Sequence, residues 1–91
     1  MSEEHRAVIR GAKFLDKIRP GWYREVKLSS LSMNDCHQCI LGQIYGEYTR
    51  GLFTLGFWGS ATCHVLGFAF TDSPTKIARL WKTQIRIRRG K

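Results

Sequence analysis

The segment Cys36-His37-Gln38-Cys39 holds the residue types with the widest chemical range in this sequence. Two thiolates at Cys-x-x-Cys spacing can bind zinc, and Cys63 or His64 would add a further ligand. The distance in sequence from Cys39 to Cys63 suits such a site, but a second pair is missing. Cys63 and His64 are adjacent, and adjacent side chains seldom reach one ion. The same pair at a helix N-terminus can be redox active, because the helix dipole lowers a thiol pKa. That chemistry needs a strand before the motif, and none is predicted there. A third reading makes Cys36 and Cys39 small apolar packing residues, with Cys36 on a line with Ile40 and Ile44. It is the preferred one, so no cofactor is expected; zinc on Cys36, Cys39 and Cys63 is the alternative.

Catalytic arrangements are otherwise lacking. There is no Gly-x-Ser-x-Gly elbow and no phosphate loop ending in Lys-Ser or Lys-Thr. Asp16, Glu25, Asp35 and Glu47 stand singly near basic residues, as solvated surface charges do. The expectation is a protein that binds and does not catalyse.

What it would bind is suggested by charge. The chain has a net charge of +8. Residues 76–91 carry seven basic groups and no acid, whereas residues 1–75 carry eight basic groups against seven acids, a net of +1. Such a block suits phosphates, acidic protein surfaces or anionic lipid; it also suits a solvated helix face. Lys76, Arg79, Lys82, Arg86 and Arg89 are the candidate nucleic-acid-binding residues. From Arg79 to Arg89 they extend roughly 15 Å along a helix, enough to follow phosphates. No helix-turn-helix signature assigns a recognition helix, so base-specific reading is not expected.

A second candidate surface is aromatic. Residues 56–71 are apolar without periodicity, and a wholly exposed loop would not carry so many rings. Phe57, Trp58, Phe68 and Phe70 either anchor a partner protein or complete the core. A homodimer burying the same rings is a further possibility.

These groups must be positioned by a small scaffold. Ninety-one residues with 43% hydrophobic and 24% charged composition suit one globular domain spanning 1–91. No run approaches the ~18 apolar residues of a membrane span. The odd cysteine count and the polar N-terminus predict a cytoplasmic protein with reduced thiols and no membrane association.

Apolar periodicity over 4–18 predicts a helix capped by Ser2 and stopped at Pro20-Gly21. Residues 22–31 read as a short extended piece or as one helical turn leading into a loop, and the loop is preferred. A second helix is expected from the Ser32–Asp35 capping region to Tyr45, ended by Gly46. A third runs from Glu47 to Leu55. The last occupies 74–89, with Pro74 at its first position, and Ile77, Leu80, Trp81, Ile85 and Ile87 on its inner side. The expected fold is all-α, a compact bundle of about four helices with one long apolar connecting segment.

Phe14-Leu15-Asp16, Pro20-Gly21-Trp22, Leu31-Ser32-Met33 and the run from Cys36 to Gly46 resemble a family of small proteins. They are encoded by actinobacterial bacteriophages (mycobacteriophage-type) and related prophages. The resemblance spans Gly11 to Gly56, and its distinctive part is Cys39-Ile40-Leu41-Gly42-Gln43-Ile44-Tyr45-Gly46. It implies a phage accessory protein in a host bacterial cytoplasm and carries over no catalytic residue. The basic C-terminal helix stands outside it, argued from charge. The expected partner is nucleic acid or an acidic host protein surface; stoichiometric capture of a host protein through the aromatic segment is the alternative.

Overall fold

The computed structural model describes residues 2–56, 66–68 and 74–90. Among these the fold is all-α, with four α-helices, two single 3-10 turns and no strand. Helix α1 spans Glu3–Ile18, α2 Ile40–Tyr45, α3 Tyr48–Leu55 and α4 Pro74–Arg89. The 3-10 turns Trp22–Arg24 and Leu28–Ser30 occupy the stretch read as loop.

Helix α1 begins where expected. Ser2 is its N-cap, and its hydroxyl accepts from the His5 amide at 3.1 Å, satisfying one of the free N–H groups of the first turn. Glu3 and Glu4 lie at the positive end of the helix dipole. The buried face is Ala7, Val8, Gly11, Ala12 and Leu15, which packs against α4.

The partner face of α4 is Ile77, Ala78, Trp81 and Ile85. Leu80 is half-buried, and Ile87, expected on this side, is 51% exposed. Ile87 lies in the last turn of α4, beyond the buried stretch.

Trp81 is the centre of the core. Phe68 stacks on it at 5.5 Å between ring centroids, and Trp22 meets it edge-on at 5.7 Å. Its indole N–H donates to the Gly67 carbonyl oxygen at 2.9 Å, so the buried polar atom is paired. Residues 66–68 thus lie between α1 and α4. Gly67 has φ +73°, and a Cβ there would sit 3.1 Å from Val8 backbone atoms. Both the left-handed backbone and the close approach require glycine.

The second helix is shorter than the periodicity implies. It starts at Ile40, and residues 34–38 form a turn instead. Asp35 explains the change: its Oδ1 accepts from the amides of His37 and Gln38 at 2.8 and 3.1 Å. A short polar side chain offers the backbone an alternative to the helix ladder in this way. The Cys36 carbonyl oxygen is then taken by the Tyr48 amide at 2.7 Å, at the start of α3. Cys39 becomes the N-cap of α2, with its Sγ accepting from the Gly42 amide at 3.3 Å. The expected alignment of Cys36 with Ile40 and Ile44 therefore fails, and Cys36 is exposed.

The run from Cys39 to Gly46 proves to be a local clamp. A Cβ on Gly42 would overlap the Cys36 carbonyl oxygen and sit 2.7 Å from the His37 carbonyl carbon. Gln43 receives the Lys27 amide at 2.7 Å and donates to the Lys27 and Gln38 carbonyl oxygens. Gly46 ends α2 at φ +95°, and α3 packs back onto α2 with Gly51 against Leu41.

Candidate nucleic-acid interface

The thiols bear first on the metal alternative. Cys39 is fully buried and its thiol pKa is pushed up to about 11, mainly by burial. Cys36 is exposed. Among the described residues no group of three or more His, Cys, Asp or Glu side chains could hold a metal ion. Cys63 and His64 lie outside those residues.

Replacing Cys36 by alanine is expected to change stability by less than about 0.5 kcal/mol, since the site is exposed and away from the core. Cys39→Ala is expected to cost about 1–2 kcal/mol, because it removes a cap acceptor and opens a small cavity. Urea denaturation of the two variants checks the difference. The raised Cys39 pKa also has a pH consequence. The folded state holds that proton to higher pH than the unfolded chain, so stability is lost as pH rises from about 9 toward about 11.

Helix α4 carries the basic block, and the fold divides its cations into two groups. Arg88 forms a paired contact with Asp16, through Nε and Nη2 at 2.9 and 2.8 Å. The same carboxylate accepts the Trp22 indole N–H at 2.9 Å, and the guanidinium lies 5.8 Å from the Trp22 ring centroid. Arg88 also donates to the Gln84 carbonyl and side-chain oxygens. Asp16, read from sequence as a solvated charge, instead joins α1, the first 3-10 turn and α4.

Arg89 is a structural clamp too. Its Nη2 donates to the carbonyl oxygens of Tyr23 and Val26, which close the segment after α1. Lys76 faces Glu4 at 3.5 Å, an exposed pair of little energetic weight. Of the five candidates, Lys76 and Arg89 thus have intramolecular partners.

Arg79, Lys82 and Arg86 form the second group. Their spacing of three and four residues places them in one stripe. Among the described residues none of them has a carboxylate partner. All three line one groove of about 540 Å³ between α4 and the segment Leu31–Asn34. Arg79 and Arg86 are exposed, while Lys82 is half-buried. The opposite wall contributes Ser32 and Asn34, whose side chains hydrogen-bond each other at 2.6 Å.

The groove is not legible in the sequence because its two walls are at least forty residues apart. The stripe of cations was legible as a helix face; the facing segment was not.

The aromatic candidates divide similarly. Phe68 is 1% exposed against Trp81, so it completes the core and offers no partner surface. Phe57, Trp58 and Phe70 lie outside the described residues. Among the described residues no helix is long and apolar enough to cross a membrane.

Comparison with protein-family profiles, curated proteins and solved structures returns no match to this chain.

Proposed function

We propose that this protein binds nucleic acid without catalysing a reaction, using Arg79, Lys82 and Arg86 as phosphate contacts. The observation that carries the reading is the division of cations on α4. Arg88 and Arg89 hold the helix to the body, while these three have no intramolecular ion pair among the described residues and share one groove. Cations held on one rigid face and left without acidic partners suit a polyanion, since neutralising phosphates releases condensed counterions. The contacts position the protein on a backbone and carry no sequence code by themselves. The resemblance to phage-encoded proteins supports an accessory role in a host bacterium, as part of the same proposal.

Affinity for DNA measured at several salt concentrations tests it. Binding should weaken steeply with salt. The combined variant Arg79→Gln, Lys82→Gln, Arg86→Gln should flatten the log–log slope by about 0.9 per lost contact, or about 2.7 in all. The fold should persist, because these side chains do not belong to the buried face of α4. Undetectable binding at low salt, or a triple variant that binds like the parent, would overturn the reading. An acidic host-protein surface would then become the leading partner class.

A further inference from the structure

We propose that the groove beside α4 takes an unpaired nucleotide of a single strand, its phosphate against Arg79, Lys82 and Arg86. This rests on the phosphate-binding reading above and narrows it to a class of nucleic acid.

Three observations carry it. First, the cations line a concavity of about 540 Å³ and not a flat or convex face. That volume falls within the roughly 300–1,000 Å³ of small-ligand sites, here in a groove open along one side. Second, the groove is mixed in character. Leu31, Met33 and Ala78, buried in the core, close its floor and expose little, while half-buried Pro74 and the aliphatic stems of the cations add apolar surface to its walls. An apolar lining next to three cations matches a ligand with an anionic end and a flat, weakly polar body. Third, Asn34 lies across the groove from the cations and accepts from Ser32 through its Oδ1. Its amide N–H groups have no partner among the described residues and can meet acceptors on a base edge.

A duplex cannot use all of this. Its bases are stacked inside a convex cylinder, so its phosphates would meet the exposed ends of Arg79 and Arg86 and leave the groove filled with water. An unpaired base can be turned out of its strand and laid in a protein recess while its phosphate stays with the cations. An acidic peptide would satisfy the charges but would cover the apolar surface only where an aromatic residue stands beside its carboxylates, whereas every nucleotide carries its flat base next to its phosphate.

Fluorescence anisotropy with the full chain separates these ligands. The probes are a short labelled oligothymidylate and a duplex of the same length and base content on one strand, at the same salt. The single strand should bind about tenfold more tightly, the size of one base contact. Thr75→Leu should reduce that advantage while leaving duplex affinity unchanged, because the larger side chain narrows the groove from an exposed position, adds no aromatic stacking face and keeps every cation. Asn34→Leu narrows the groove from the opposite wall and removes the amide donors, so it should lower single-strand affinity as well, and the test survives if one variant fails to fold.

Duplex binding as tight as single-strand binding would overturn the inference and leave the phosphate-binding reading standing. Displacement of the strand by polyglutamate as readily as by unlabelled oligothymidylate would also overturn it. If neither nucleic acid binds, both readings fail together.

Discussion

Trp81→Ala is expected to be among the most damaging single substitutions in the described structure. Trp81 is 0% exposed, and its ring is covered by Phe68 on one face and met by the edge-on Trp22 ring. Truncation of a buried tryptophan costs about 3–5 kcal/mol through lost transfer free energy and the cavity left behind. A domain of this size has a stability of roughly 5–14 kcal/mol, so the loss consumes a large part of it. The Gly67 carbonyl would also lose its donor. Trp81→Phe separates the two effects: it keeps an aromatic ring and drops the N–H, and should cost about 1–3 kcal/mol. Urea denaturation followed by circular dichroism gives both values. An alanine variant within about 1 kcal/mol of the parent would contradict this account of the core.

Gly11→Ala should lower stability by about 3 kcal/mol, at the upper end of the overpacking range. The sign makes this a sharp test. Gly11 lies inside α1, where alanine is intrinsically better by about 0.8–1.0 kcal/mol. Propensity alone therefore predicts stabilisation. The tertiary structure predicts the reverse, because a Cβ at this position would overlap the Leu66 carbonyl oxygen and sit 2.9 Å from Cη2 of Trp81. Neither neighbour is the loose end of a flexible chain. One is backbone, and the other is a ring fixed on several sides. Thermal and urea melts decide between the two expectations, and a higher midpoint for the alanine variant would place residues 66–68 elsewhere than against α1.

The same contrast between local and distant control divides what was legible in the sequence. Helices α1 and α4 followed from local signals: Ser2 and Pro74 at their starts, and apolar residues recurring every three or four positions. Such signals act within one or two turns, so they survive without knowledge of the rest of the chain. The stripe Arg79, Lys82, Arg86 was legible for that reason, as were the glycine ends of α2 and α3 at Gly46 and Gly56.

The start of α2 was decided by a local side-chain bond and by contacts from further along the chain. Ser32 and Asp35 have the spacing of a capping box, yet here the Asp35 carboxylate closes a non-helical turn. That turn is held by the Tyr48 amide and by Gln43, groups further along the chain. The exposure of Cys36 follows from this. Tertiary structure also decided the separation of the basic residues into two roles. Arg79 and Arg88 are the same residue type on the same helix, and composition cannot distinguish them. Only the approach of Asp16, seventy-two residues away, makes Arg88 a structural group. The Tyr23 and Val26 carbonyls do the same for Arg89. Local periodicity determined which faces were basic or apolar; the long-range packing of α1 and the Leu31–Asn34 segment on α4 decided which cations were left for a ligand.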